Sequence, residues 1–229
     1  MYRARSGMID ALRALAPPEI AVAGGATIGP PPFDAADMAR VTRARAKRRH
    51  EFLWGRVQAR HVLGVLGARG PVGRAPSGAP MWPAGICGSI SHAPGMAVAA
   101  AAPIERFAAI GIDLETEGPL APHLVPRVVS DSDRVDGLDA GRAAKAIFCI
   151  KEAVYKAAGP GADLHGFHDV RVDVADGTIR VWLARAPGRT AFEGRFGSVG
   201  TCAVALVWRR ARPKPSPSPE ESTPVATGP

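Results

Sequence analysis

A hydrophobic period of two marks the stretch from Phe107 to Glu115. Ile110, Ile112 and Leu114 alternate with Gly111, Asp113 and Glu115. This alternation predicts a β-strand with one apolar face. Two carboxylates on the opposite face are costly to bury unless a positive group lies between them. Asp113 and Glu115 therefore predict a site for a divalent cation that prefers oxygen ligands.

A helical period marks the stretch from Ile147 to Gly159. Glu152 and Lys156 lie four residues apart on the side away from the apolar arc, with Lys151 at its edge. The simplest interpretation is a surface helix with a Glu152–Lys156 ion pair worth about 0.3 kcal/mol. Alternatively, Glu152 supplies a third oxygen ligand to the cation, and the lysines neutralise a phosphate-bearing substrate. One apolar arc is shared by Ala146, Ile147, Ile150, Ala153, Val154 and Ala157.

The other elements follow from weaker patterns. These predict a helix over 8–15, a Gly/Pro-rich connection to residue 33, helices within 34–66, a loop over 67–88, a strand over 96–102, a segment without clear structure over 116–141, a hairpin around 176–177, and a strand over 201–208. The mixture predicts a globular protein that contains both helices and strands.

Composition limits the partners. The 229 residues include 29 Lys and Arg against 21 Asp and Glu, a formal charge of +8. This charge indicates an anionic partner, which could be nucleic acid, a phosphorylated cofactor or an acidic protein surface. The three cysteines have no metal-binding spacing and predict buried free thiols. Neither a secretion signal nor an apolar run long enough for a membrane span is recognisable, so we expect a cytoplasmic protein.

Basic residues are concentrated between Arg40 and Arg60, where eight Lys and Arg accompany a single acid, Glu51. A helix over this stretch would carry most of its arginines on one stripe. The stripe could be a solvated face or the binding surface of a nucleic-acid-binding module. Low aromatic content and the lack of a recognisable groove-reading motif weigh against the second possibility.

Four sequence blocks together resemble one family. Gly-Ile-Asp-Leu-Glu (111–115) and Phe-Cys-Ile-Lys-Glu-Ala-Val-Tyr-Lys (148–156) resemble the signature of 4′-phosphopantetheinyl transferases of the surfactin and enterobactin type. Gly-Ser-Ile-Ser-His (88–92), preceded by Pro-Met-Trp-Pro-Ala-Gly (80–85), resembles a third block. Arg-Arg-His-Glu-Phe (48–52) with Arg56 resembles a fourth. The blocks occur in the family's order, which makes the resemblance specific.

The resemblance implies an α+β fold of two similar lobes related by a pseudo-twofold axis, with the active site at their junction. Residues 1–105 would form the N-terminal lobe and residues 106–210 the C-terminal lobe. Similar strand sequences at 95–100 and 200–205 agree with such a duplication. Two lobes in one chain predict a monomer. The tail over 211–229 contains six prolines and is predicted to be disordered.

The resemblance also implies an activity. The expected reaction transfers 4′-phosphopantetheine from coenzyme A to a serine of an apo acyl or peptidyl carrier protein and releases adenosine 3′,5′-bisphosphate. Carrier domains of polyketide, nonribosomal peptide, siderophore or fatty acid synthases would be the partners, with no nucleic acid and no membrane. Residues 116–141 would face the carrier protein. The Asp-x-Glu and Lys-Glu-x-x-x-Lys patterns weigh against a relative that binds coenzyme A without catalysis.

Site residues are carried over from the matching blocks. Asp113, Glu115 and Glu152 would hold Mg²⁺. Glu152 would act as the base for the serine proton, and Lys156 would neutralise the leaving phosphate with support from Lys151. The expected contacts with coenzyme A are Arg48, Arg56, Arg74, Ser77, Ser91, His92, Asp113, Lys151 and Lys156.

One position departs from the family pattern. Ser77 lies where many relatives carry a basic residue, and Arg74 precedes it by three residues. Either Arg74 takes over the phosphate contact in this loop, or a contact from the backbone is sufficient.

Overall fold

The computed structural model describes residues 2–31, 35–186 and 190–212. Its helices are α1 (Tyr2–Ala14), α2 (Ala35–Ala39), α3 (Ala46–Val65), α4 (Val125–Val128) and α5 (Ala140–Ala158). Its strands are β1 (Ala21–Ala26), β2 (Gly73–Arg74), β3 (Pro80–Met81), β4 (Ile86–Ala93), β5 (Met96–Pro103), β6 (Phe107–Thr116), β7 (Arg134–Val135), β8 (Val170–Ala175), β9 (Thr178–Leu183), β10 (Phe192–Val199) and β11 (Cys202–Arg210). The α+β class expected from the resemblance is confirmed.

The first half of the chain forms a three-stranded antiparallel sheet in the order β1-β5-β4. Helix α3 packs on one face, where Val62 lies against Ala21 and Ala99. Helix α1 covers the other face through Leu12, which joins a cluster with Val98. Small side chains on the strands allow both helices to approach the sheet closely.

The second half forms a six-stranded sheet in the order β6-β11-β10-β9-β8-β7. All its pairs are antiparallel except β7–β8. Helix α5 packs on this sheet through Ile150 and Val154, which are completely buried against Val172 and Val207. This contact explains the apolar arc of the predicted helix.

Strand β4 of the first sheet lies beside β6 of the second. Cys87 Sγ donates to the carbonyl oxygen of Phe107 at 3.2 Å, and further along the two strands Ser91 reaches Asp113. One apolar cluster joins β5 to β6 and β11 across this junction. The division at residues 105 and 106 and the pseudo-twofold relation remain predictions.

The strand over 107–115 and the helix over 147–159 are confirmed, and so are the two helices within 34–66 and the hairpin at 176–177. The connection predicted before residue 33 was wrong in part, because it contains β1. Strands β4 and β10 were not predicted, the loop predicted over 67–88 contains β2, β3 and the start of β4, and residues 116–141 hold a 3-10 turn, α4 and β7. Short side chains and glycines in β1 and β10 leave no clear period.

The predicted disordered tail lies outside the described residues from 213 onward. Ala211 and Arg212 are described, and the backbone N–H of Ala211 donates to the carbonyl oxygen of Arg106 at 3.0 Å. No helix of the described ranges has the length and apolar character needed to cross a membrane.

Gly111 permits the closest contact between β6 and α5, because a Cβ atom there would lie 1.9 Å from the carbonyl oxygen of Ala153. We predict that Gly111→Ala lowers the free energy of unfolding by about 3 kcal/mol, since the backbone of α5 must shift. Urea unfolding measures this loss. Gly64→Ala is the control, because a Cβ atom at this exposed helical position meets nothing within 4 Å. Equal stability of both variants would contradict the prediction.

Candidate active site

The contact between Gly111 and Ala153 brings the neighbouring side chains of β6 and α5 together. Asp113 follows Gly111 on the same face of β6, and Lys156 follows Ala153 by about one turn of α5. The close approach of helix and strand therefore brings the Lys156 ammonium to the carboxylate of Asp113. Gly159 ends the helix just beyond, with a positive φ of 74°.

Three side chains from three elements meet at this point. Lys156 Nζ donates to Asp113 Oδ1 at 2.5 Å, to Ser91 Oγ at 2.9 Å and to the carbonyl oxygen of Ile112 at 3.3 Å. Ser91 Oγ donates to the same Asp113 Oδ1 at 2.9 Å. Asp113 is only 5% exposed, and its second oxygen, Oδ2, is buried without a hydrogen-bond partner. A buried carboxylate oxygen of this kind is unusual and indicates a place for a further positive group.

The carboxylates of Glu115 and Glu152 interact electrostatically with Asp113 and Lys156. Burial raises the pKa of both Glu115 and Glu152, the charge of Asp113 raises both further, and Lys156 opposes the shift. Lys145 Nζ lies 3.4 Å from a carboxylate oxygen of Glu115. Two partly buried glutamates whose charged forms are disfavoured beside the carboxylate of Asp113 are electrostatically suited to a divalent cation.

The present arrangement of these groups is not that of a formed metal site. Within residues 2–31, 35–186 and 190–212, no group of three His, Cys, Asp or Glu side chains is assembled closely enough to hold an ion. The Lys156 ammonium instead contacts Asp113 Oδ1. The donor set fits an oxygen-preferring cation by its chemistry and by the unpartnered Oδ2 of Asp113.

A cleft of about 410 Å³ opens above this group. Its walls come from both halves of the chain: Arg48 of α3, residues 78–80 of the loop, residues 88–92 of β4, residues 113–115 of β6, and Lys156 of α5. The cleft therefore lies at the junction where β4 and β6 run side by side. It is lined by cationic and anionic groups together, as a site that holds both phosphates and a metal would be.

Arg48 and His92 form a second polar centre in the cleft. Arg48 Nη1 lies 2.9 Å from His92 Nε2. The carboxylate of Glu51 lies 3.8 Å from Arg48 Nη1 and 3.8 Å from His92 Nδ1. Burial lowers the pKa of His92, and Arg48 and Lys156 act in the same direction, whereas Glu51 raises it. Both side chains line the cleft, so one anion there can lie beside the guanidinium group and the imidazole together.

Comparison with known proteins identifies the family of the chain that contains this cleft. Residues 36–102 match the family described as the 4′-phosphopantetheinyl transferase N-terminal domain, and residues 109–198 match the 4′-phosphopantetheinyl transferase superfamily. The chain is 37% identical over 179 residues to the 4′-phosphopantetheinyl transferase Svp of Streptomyces mobaraensis, an alignment that covers 71% of this chain and 72% of the relative. The chain belongs to the 4′-phosphopantetheinyl transferase superfamily. Its members transfer phosphopantetheine from coenzyme A to carrier proteins.

Further relatives agree. The 4′-phosphopantetheinyl transferase Npt of Nocardia iowensis is 34% identical over 183 residues, which cover 68% of this chain and 80% of the relative. Enterobactin synthase component D of Salmonella typhimurium is 38% identical over 140 residues, 58% of each chain. The resemblance inferred from the four sequence blocks is thereby confirmed, including the enterobactin-type subgroup.

Five of the predicted contacts with coenzyme A line the cleft together, and four do not. Those in the lining are Arg48, Ser91, His92, Asp113 and Lys156. Arg56 lies outside this lining: it is 5% exposed, its guanidinium group lies 4.5 Å from the centre of the Phe52 ring, and Nη2 donates to the carbonyl oxygen of Gly73 at 2.8 Å. Burial lowers the pKa of Arg56 to about 10.

Arg74 and Ser77 lie in the loop that supplies residues 78–80 to the cleft. Both are exposed, and the Arg74 guanidinium group lies over Gly78. Ser77 Oγ accepts a hydrogen bond from the backbone N–H of Ala79 at 3.5 Å. Trp82 holds the end of the loop against β4 over Gly88, where a Cβ atom would lie 2.8 Å from the indole. Arg74 thus lies beside the cleft lining at Gly78.

Lys151 is completely buried away from the cleft. Its Nζ donates to Asp133 Oδ2 at 2.7 Å and to the carbonyl oxygen of Val128 at 2.9 Å. Asp133 also accepts hydrogen bonds from the backbone N–H groups of Ser130 and Val172, both at 2.9 Å. Lys151 therefore connects α5 to the segment after α4 and to β8.

Sequence reasoning missed three residues around the site. Asp133 lies in a segment without periodic pattern, so its role as the partner of Lys151 depends on tertiary packing alone. Lys145 precedes the matched block by three residues, and its helical spacing could have placed it near the carboxylates. Glu51 is inside a matched block and is the single acid among basic residues, which was a usable signal.

We predict that Lys151→Met lowers the free energy of unfolding by about 3 to 5 kcal/mol, because Asp133 would remain buried and charged without its cation. Adding Asp133→Asn should recover part of this loss, since no uncompensated charge is left. Urea unfolding of both variants measures the effect. Undiminished stability of Lys151→Met, combined with weaker binding of coenzyme A, would instead assign Lys151 to the cofactor.

Proposed function

We propose that coenzyme A binds in the cleft between β4 and β6 and that its 4′-phosphopantetheine group is transferred to a serine of an apo acyl or peptidyl carrier protein, with release of adenosine 3′,5′-bisphosphate. One observation carries the proposal. One cleft is lined both by the Lys156–Asp113–Ser91 group and by the Arg48–His92 pair. These residues come from separate sequence blocks.

The cationic groups of the cleft suit the phosphates of coenzyme A. Arg48 can offer two N–H donors to one phosphate, and His92 lies beside it. Lys156 lies next to the carboxylates, where it neutralises negative charge that develops on the departing phosphate. Ser91 supplies a hydroxyl at the same point. Arg74 supplies the basic contact of the 67–88 loop.

In the proposed reaction, the serine oxygen of the carrier forms a bond to the phosphorus atom that bears the pantetheine group. The bond from this phosphorus to the bridging pyrophosphate oxygen breaks, and adenosine 3′,5′-bisphosphate leaves with the electron pair. Glu152 accepts the serine proton. Burial and the charge of Asp113 raise the pKa of Glu152, which makes it a better base than an exposed glutamate.

Asp113, Glu115 and Glu152 are the residues that would hold Mg²⁺. The ion, when bound, would neutralise charge on the pyrophosphate. Support for this assignment comes from the unpartnered Oδ2 of Asp113 and from the raised pKa values of the two glutamates.

The carrier protein would approach the side of the cleft formed by the second half of the chain. Residues 116–141 follow β6 directly after Glu115, so they border the proposed site of transfer. The formal charge of +8 favours an acidic partner surface. We further propose that the protein acts as a monomer, since both walls of the cleft come from one chain.

The decisive experiment incubates an apo-carrier protein with this protein, coenzyme A and Mg²⁺ and measures the carrier's mass. The expected result is the gain of one phosphopantetheine group, and the gain should fail when either coenzyme A or the protein is omitted. An unchanged mass with several acyl and peptidyl carriers would overturn the proposal. Omission of Mg²⁺ in the presence of a chelator tests the metal separately.

Glu152→Gln should abolish transfer while the affinity for coenzyme A stays within about tenfold, because Arg48 and His92 remain. The proton-accepting role also predicts that the transfer rate of the wild type falls as the pH drops through the raised pKa of Glu152. Rates over a range of pH and calorimetric binding measure both effects. A variant that retains transfer within a few-fold of wild type would remove Glu152 from its role.

Arg48→Ala should raise the Michaelis constant for coenzyme A about ten- to a hundredfold, as expected for loss of a charge-assisted hydrogen bond. Arg45→Ala is the matched control, since Arg45 is exposed three residues earlier and makes no capping hydrogen bond to α3. Steady-state kinetics measure both. Equal losses in the two variants, together with binding of nucleic acid that weakens steeply with salt, would favour a nucleic-acid-binding module instead.

A further inference from the structure

Glu51 is a half-buried carboxylate that no step of the proposed reaction uses. It projects from α3 toward the cleft, where its Oε2 lies 3.8 Å from both Arg48 Nη1 and His92 Nδ1. Its Oε1 lies 3.9 Å from the exposed Lys47 ammonium. The carboxylate thus faces the Arg48–His92 pair on one side and solvent-exposed Lys47 on the other.

The contact between Arg48 and His92 determines which nitrogen of the imidazole carries the proton. A guanidinium group can only donate hydrogen bonds, so His92 Nε2, at 2.9 Å from Arg48 Nη1, must accept. A neutral His92 therefore carries its proton on Nδ1. This nitrogen is the one that faces the carboxylate of Glu51.

Such a neutral imidazole cannot donate from Nε2 to a phosphate oxygen. If Nδ1 keeps its proton toward the carboxylate of Glu51, Nε2 must take up a second proton from solvent before it can donate. Arg48 and His92 would then both donate to the same anion. The cost of this second positive charge beside Arg48 and Lys156 is reduced by the carboxylate of Glu51, which lies 3.8 Å from His92 Nδ1.

We propose that Glu51 is a positioning residue of the coenzyme A site, which orients the imidazole of His92 through Nδ1 and stabilises its charged form when an anionic ligand binds. This inference rests on the proposed function for the identity of the ligand. Its predicted consequence is that binding of coenzyme A becomes more dependent on pH when Glu51 is neutralised.

The direction of the effect follows from the surrounding charges. On His92, Arg48 of α3 and Lys156 of α5 favour the neutral form, burial does the same, and Glu51 opposes them. Replacing Glu51 with glutamine removes the opposing charge and lowers the pKa of His92 further. The loss of affinity for coenzyme A should therefore be small at acidic pH, where His92 is charged in both proteins, and should increase as the pH rises.

The first measurement follows the histidine ring signals of the ¹⁵N-labelled full chain by NMR, without coenzyme A. A His92→Asn variant identifies the His92 signals. We expect Nδ1 of neutral His92 to carry the proton, and the titration midpoint of His92 to lie about one pH unit lower in Glu51→Gln. Glu51→Asp, which keeps the charge, should bring the titration midpoint of His92 most of the way back to its wild-type value. Lys47→Gln is the matched control and should leave it nearly unchanged.

The second measurement compares coenzyme A affinity in wild type and Glu51→Gln by calorimetry between about pH 5 and about pH 8. The dissociation constant of Glu51→Gln divided by that of wild type should rise with pH from about one toward about ten, as the lowered midpoint of His92 requires. Comparison at each pH cancels the titration of coenzyme A itself. Lys47→Gln should change the constant less than about twofold.

Two results would overturn the inference: an unchanged His92 midpoint in Glu51→Gln, or a ratio of dissociation constants that does not vary with pH. Failure of the proposed function is distinguishable from both. In that case wild type would not bind coenzyme A at all, whereas the NMR titration would still report whether Glu51 acts on His92.

Discussion

The direct contact of α5 with the backbone of β6 is the constraint on which the site depends. Gly111 has no side chain, so the helix reaches the strand at Ala153. Only at this separation can Lys156 reach Asp113 Oδ1 and the carbonyl oxygen of Ile112. A larger residue at position 111 would move the helix outward and separate the groups that the proposed reaction requires.

The same helix carries two lysines whose environments differ. Lys151 is completely buried and bound to Asp133, which also accepts two backbone hydrogen bonds. Lys156 lies at the edge of the cleft and contacts Asp113, whose second oxygen has no partner. In the first pair, both oxygens of Asp133 and the Lys151 ammonium have hydrogen-bond partners within the fold. The second is incompletely satisfied, and an incompletely satisfied polar group at a cleft is a typical property of a functional site.

The arginines of α3 also differ from one another although they lie close together in sequence. Arg48 lines the cleft beside His92, Arg56 is buried against Phe52 and Gly73, and Arg60 pairs with Asp37. Arginines that appear equivalent on a helical wheel thus have three different environments in the fold. This division also explains why a basic helix is poor grounds for a nucleic-acid-binding function in this chain.

Much of the fold and of the candidate site could be predicted from the sequence. Alternation over 107–115 and the apolar arc over 147–157 predicted the strand and the helix, because the residues of one apolar face recur with the period of the element. The spacing of the four blocks identified the family. These inferences depend on local pattern or on motif order, both of which are present in the sequence alone.

Only the tertiary structure decided which polar residues share a cleft and which are buried elsewhere. Lys151 and Lys156 are equivalent as charges in the sequence, but Asp133, which separates their roles, lies in a segment without periodic pattern. Strand β1 has no sequence signal of its own, because its small residues become strand only where β5 and α3 cover them. Contacts between residues distant in sequence cost chain entropy and are favourable only in the complete fold, so no local pattern specifies them.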